Sequence, residues 1–159
     1  MFSIFKIFKK KKIVPHIRLS GVIGAVGKFK QGLDFVGQKE IIEKAFSVKK
    51  SLAVAVTINS PGGSPVQSHL IYSHIRNQAK KNNKKVFVFT EDVAASGGYL
   101  IACAGDEIYA NSSSIVGSIG VIYSSFGLQE LIKKAGIQRR IYTAGKNKST
   151  LDPFVEEKQ

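Results

Sequence analysis

The chain has no tryptophan, one cysteine, one methionine and three histidines in 159 residues. A single cysteine, Cys103, excludes an intrachain disulfide and a thiolate-rich zinc site. His16, His69 and His74 stand apart from any cysteine or carboxylate at ligand spacing, so no metal site is expected. Nor is a cofactor expected: Gly21, Gly24 and Gly27 lack the spacing of a dinucleotide fingerprint. Long apolar runs are missing too. Nothing approaches the roughly 20 apolar residues that span a bilayer, and no basic-then-apolar signal peptide is seen. Acidic side chains are scarce, 11 against 24 basic ones, for a net charge of +13. The excess lies in scattered lysine and arginine doublets rather than one stripe with interleaved aromatics, so specific nucleic-acid binding is not expected.

What is present reads as an α/β protein. Residues 1–12 form a basic amphipathic segment, Phe2, Ile4, Phe5, Ile7 and Phe8 beside Lys9–Lys12, suited to peripheral contact with an anionic membrane. From Ile13 to Val26 apolar and polar residues alternate, as in one or two short strands. Phe35 to Phe46 has helical periodicity with Ile41, Ile42 and Ala45 on one side. Leu52 to Ile58 is a continuous apolar strand of the kind buried in a parallel sheet. Ser64-Pro65 opens a helix to about Lys80, with Val66, Leu70, Ile71, Ile75 and Ala79 as its apolar stripe. Further strands are expected at Lys85–Thr90, Glu107–Ala110 and Gln138–Thr143, a short helix at Leu128–Lys134, and a helix start at Asp152-Pro153. Cys103, among apolar neighbours, reads as a buried, inert thiol.

Chemistry points to Ser96, in Ala94-Ala95-Ser96-Gly97-Gly98-Tyr99, after the apolar run Val86–Phe89. It falls on a strand-to-helix turn, where free N–H groups and the helix dipole favour a developing alkoxide. Taken alone it reads first as an ordinary N-cap serine, and the other motifs change that. The Pro61-Gly62-Gly63 turn can aim N–H groups into a crevice, and the N–H of Gly97 is a second candidate donor for an oxyanion. None of the histidines lies downstream of Ser96, which disfavours a Ser-His-Asp triad. A lysine held neutral by burial can act instead; Lys146 and Lys148 both lack acidic neighbours.

Four motifs in this order, Asn59 to Ser64, Asp92 to Tyr99, Gly117 to Val121, and Ala144 to Ser149 with Pro153-Phe154, resemble the signal peptide peptidase A (protease IV) family. The resemblance covers the chain from about Ile13 onward. It implies a Clp/crotonase-like spiral fold of repeated β-β-α units, with residues 13–159 as a peptidase domain lacking the family's C-terminal continuation. It also implies a serine endopeptidase with a Ser-Lys dyad, Ser96 as nucleophile and Lys148 as general base, and Gly63 and Gly97 at the oxyanion hole. Implied substrates are remnant signal peptides or other apolar peptides. The implied assembly is a homo-oligomer that completes the dyad between protomers, in the bacterial cytoplasm or at the inner-membrane surface. Alternatives are a catalytically inactive scaffold or membrane-protease partner, a crotonase-type acyl-CoA enzyme, and a Clp-type subunit. The last would require a histidine where Gly117–Val121 has none.

Overall fold

A computed structural model describes residues 13–24, 32–122, 124–144 and 152–155. Its elements run β1 (His16–Ser20), α1 (Phe35–Ser47), β2 (Ala53–Ser60), α2 (Pro65–Asn82), β3 (Lys85–Ala95), α3 (Gly97–Ala102), β4 (Glu107–Ala110), β5 (Ile115–Gly117) and α4 (Gln129–Lys134). Residues 1–121 and 122–159 divide into two compact units.

In the first unit the strands pair in parallel in the order β1-β2-β3-β4, and β5 pairs with the far half of β3. Parallel crossovers are right-handed. Stepping always to the next strand in the same direction therefore puts successive helices on one face. The core follows: Ile17, Leu19, Val54, Val56, Ile58, Val86 and Val88 from the strands meet Ile42, Phe46, Ile71, Ile75 and Ile101 from the helices.

Short second pieces accompany the long strands. Ile23 bridges to Gly63, Ser60 pairs with Ala94 after a register shift, and Val93–Ala95 pairs with Ile115–Gly117. Each β-α step thus carries a long strand and a short extended piece. This is the repeated β-β-α pattern of the Clp/crotonase-like class, and the short pieces converge where the strands end.

One-sided coverage also corrects three expectations. Strand β2 is not buried on both faces: Val54, Val56 and Ile58 point into the core, while Ala53, Ala55 and Thr57 are half-buried on the other side. On α1 the buried residues are Ile42 and Phe46, and Ile41 is exposed. On α2 they are Ser68, Ile71, Ile75 and Ala79, while Val66 and Leu70 face outward. A helix lying on a single sheet buries a narrow stripe, and residues 100° to either side of it stay out.

The expected caps form. The Asp34 carboxylate accepts from Gly37 N–H, and the Ser64 hydroxyl accepts from Gln67 N–H with Pro65 at the first helical position. At the start of β3 the Asp106 carboxylate accepts from Val86 N–H at 2.7 Å and faces Arg76 and Lys85. The Val86 hydrogen bond is the main reason that its carboxyl sits below the usual range, helped by the two cations against a burial cost. Such a group stabilises the fold above its unfolded pKa, about 3.9, and loses that contribution as pH falls through the depressed folded value. Asp106→Ala leaves the N–H of buried Val86 without its acceptor. It should cost about 1–3 kcal/mol at pH 7, with the gap to the parent chain closing in acid. Urea titrations at neutral and acid pH check both statements.

Within the second unit, Arg139 donates to the Asp152 carboxylate and lies 5.0 Å from the Phe154 ring centre. Leu128 N–H donates to Pro153 O at 2.7 Å. One expectation fails here. Gln138–Thr143 is not a strand: among the described residues it has no ladder partner, and an unpartnered extended segment has nothing to make it a strand. Asp152-Pro153 opens a turn, with the Asp152 carboxylate accepting from Phe154 N–H at 3.0 Å as an N-cap does, and the residues that would continue a helix lie outside the described residues.

Candidate active site

Strand β3 ends at Ala95 and α3 begins at Gly97, so Ser96 alone makes the turn between them. Its backbone is at φ 51°, ψ −118°, a conformation that side chains rarely adopt. Two hydrogen bonds hold it there. Ser96 N–H donates to Gly117 O at 2.8 Å, and Ser96 O accepts from Leu100 N–H at 3.0 Å. Its hydroxyl makes no capping bond to the helix. Ser96 therefore occupies the N-cap position without capping the helix through its side chain, and among the described residues its hydroxyl has no hydrogen-bond partner. Strain of this kind, about 1–3 kcal/mol, persists only where the surroundings over-determine it.

Glycines make those surroundings. A Cβ on Gly62 would lie 2.9 Å from Ser96 Cβ and 2.8 Å from Ala95 O. One on Gly97 would meet Ser68 Oγ at 2.2 Å, and one on Gly98 would meet Ser60 O at 2.5 Å. No side chain fits at these three positions, so the Pro-Gly-Gly turn and the serine turn pack backbone to backbone.

The parallel bridge at Gly63 fixes its direction. Ile23 N–H donates to Gly62 O, and Ser64 N–H donates to Ile23 O, both at 2.8 Å. In such a bridge the central residue's own N–H points the opposite way. Among the described residues neither Gly63 N–H nor Gly97 N–H has an acceptor. Both glycines line one cleft of about 470 Å³ together with Ser96, Pro65, Tyr99, Leu100, Cys103, Ile119, Gly120 and Val121. Its wall is almost wholly apolar. It lies beyond the carboxyl ends of the parallel strands, the usual place for ligands in such sheets.

Of the residues singled out from sequence, the fold brings Ser96, Gly63 and Gly97 together. Lys146 and Lys148 lie outside the described residues. Cys103 is not buried. It is exposed, and it lines the cleft. Ile101, Ala102 and Ala104 take the inward positions around it, and at the C-cap of a six-residue helix the thiol turns outward. The histidines are engaged elsewhere: His16 with the Thr57 hydroxyl at 2.7 Å, His69 with the Ser73 hydroxyl at 3.3 Å, and His74 beside Glu43 and the Phe35 ring. None of the three lines the cleft.

Sequence reasoning missed the parts that lock the two turns. Asn59 donates to the Asp92 carboxylate at 2.8 Å and accepts from Val93 N–H at 3.3 Å. Buried Ser60 accepts from Gly62 N–H at 3.2 Å. Asn59 and Asp92 were visible as members of two separate motifs, but no local pattern says that they bond to each other.

Peptidase family S49 matches residues 78–159, which include the serine turn. A Brucella melitensis protein named as the Na(+)/H(+) antiporter NhaA is 60% identical over 146 residues, covering 91% of this chain and 20% of that one. The Arabidopsis thaliana chloroplastic serine protease SPPA is 36% identical over 130 residues, covering 77% of this chain and 19% of its own. The chain thus spans about a fifth of the length of these two relatives. Among the described residues no helix is long and apolar enough to cross a membrane. A membrane-bound stomatin-specific protease superposes with a TM-score of 0.55 at 16% identity, over 80% of this chain and 66% of that one, which shows a shared fold. With more than half its length matched, and with the glycine-packed serine turn inside the match, the chain belongs to peptidase family S49.

Proposed function

We propose that the protein is a serine endopeptidase that uses a Ser96–Lys148 dyad on apolar peptides, including remnants of signal peptides, at or near a membrane surface. The observation that carries this reading is the strained, uncapped Ser96 facing an apolar cleft beside two unused N–H groups. Ser96 Oγ attacks the scissile carbonyl carbon while its proton passes to the neutral amine of Lys148. Gly63 and Gly97 N–H donate to the oxyanion, each worth on the order of 10²–10³ in rate. The C–N bond then breaks, the lysine proton goes to the leaving amine, and water hydrolyses the acyl-enzyme by the same proton route. A lysine serves as base at neutral pH only if burial lowers its pKa from about 10.4. The substrate runs extended along Gly117–Val121, with its side chains in the apolar cleft.

The dyad is completed between protomers of a homo-oligomer, where burial at the contact supplies the desolvation. Mixing Ser96→Ala with Lys148→Ala protomers should restore part of the activity that each lacks, because some sites then receive both intact residues. Lys146→Ala should remain active by itself. A mixed assembly that forms and stays dead would remove the shared dyad. A fluorophosphonate probe that fails to label Ser96 in an assembled oligomer would favour the scaffold reading.

A further inference from the structure

The lysine doublets that look scattered along the sequence are gathered by the topology. Because β1, β2 and β3 are parallel, their first residues share one end of the sheet. Helices α1 and α2 run back and finish at that same end. Lys49 and Lys50 follow α1, Lys80 and Lys81 close α2, and Lys84 and Lys85 open β3. Lys84 Nζ donates to Val48 O at 2.6 Å, and Lys85 N–H donates to Leu52 O at 3.1 Å, which ties the two loops together. Six lysines thus stand at this end. Two carboxylates are beside them: Asp106, which faces Arg76 and Lys85, and Glu107, which accepts from the Tyr109 hydroxyl.

Two helix C-termini contribute about −0.5 charge each. Together with the two carboxylates, that offsets about three of the six lysine charges and leaves about three unmatched. Among the lysines sit exposed aliphatic side chains, Leu52 at 82% exposure and Ile13 and Val14 at the entry to β1. In the sequence, Lys9–Lys12 directly precede Ile13. Cations ringing bare aliphatic tips match a surface with anionic headgroups above an apolar interior. A surface for single-stranded nucleic acid would instead place aromatic rings among the cations.

We propose that this lysine end of the sheet docks on anionic lipid headgroups, with Leu52 entering the acyl boundary. The cleft is at the other end of β3. Eleven residues of strand separate the two, about 35 Å at roughly 3.3 Å per residue. On the peptidase reading given above, the enzyme would then take peptides that reach out of the bilayer and not ones lying in it.

The lack of tryptophan gives a direct test, independent of activity. Leu52→Trp and, as a control near the start of α1, Val36→Trp are each titrated with vesicles of phosphatidylcholine, with or without one-third phosphatidylserine. Val36 is also 83% exposed, so both substitutions are on the surface. Emission of Leu52→Trp should shift to the blue with phosphatidylserine vesicles only, and that of Val36→Trp should not. Adding Lys49→Glu, Lys50→Glu and Lys81→Glu should raise the lipid concentration at half-shift at least tenfold, with Lys9–Lys12 intact. No blue shift, an equal shift in both variants, or a triple variant that binds unchanged would overturn the proposal. So would an RNA oligonucleotide that displaces the protein from vesicles at equal phosphate concentration.

Discussion

If Ser96 is the nucleophile as proposed, Ser96→Ala should lower kcat for an apolar peptide by about 10⁴- to 10⁶-fold, the range for losing a covalent nucleophile. Stability should hardly change, because alanine keeps the Cβ and with it the strain at φ 51°. Ser96→Gly separates chemistry from conformation. It is equally dead, but it relieves about 1–3 kcal/mol of backbone strain against about 0.5–1 kcal/mol of added chain entropy. The melting temperature should rise by a few degrees in the glycine variant alone. Parallel turnover assays and thermal melts on the assembled protein decide it. Retained cleavage in either variant would remove Ser96 as nucleophile. A glycine variant less stable than the alanine one would mean that the turn is not strained.

The largest structural effect is expected at Gly63. A Cβ there would stand 2.1 Å from Ile23 O and 2.9 Å from Ile23 C and N, with φ at 144°. These are backbone atoms held by two 2.8 Å hydrogen bonds, so they cannot swing aside as a side chain would. Gly63→Ala must break the bridge to Ile23 or turn its N–H out of the cleft. A cost above about 3 kcal/mol, or outright failure to fold, is expected. Gly21→Ala is the control: φ is 107° but nothing lies within 4 Å of the added carbon. It should cost only the conformational part, about 1–2 kcal/mol. Equal urea midpoints for the two variants would mean that close packing at Gly63 is not what fixes the turn.

Local chemistry made much of this legible before any coordinates. Ser64-Pro65 marks the start of α2 because a hydroxyl acceptor and a fixed φ act within one turn of chain. The apolar run into Ser96 gives the strand-to-helix turn for the same reason. What sequence could not carry was set by partners far along the chain. Whether Ile41 or Phe46 is buried depends on which side of α1 meets the sheet, and the two choices differ by little in periodicity. Cys103 reads as buried because its neighbours are apolar, yet those neighbours fill the inward positions and leave it at the cleft. Gln138–Thr143 has strand composition but, among the described residues, no strand to pair with. The Asn59–Asp92 bond and the lysine end of the sheet exist only once parallel pairing brings distant segments side by side.

The strain at Ser96 also bears on how the protein can evolve. Serine and glycine codons can differ by a single base, and here the exchange removes the hydroxyl proposed as nucleophile while relaxing the backbone. A lineage released from selection for cleavage would therefore not drift at random at this position. It would slide towards glycine, gaining a better-folded and silent descendant in one step. Retention of serine over long divergence would then record continued use of the hydroxyl, since folding alone favours its loss.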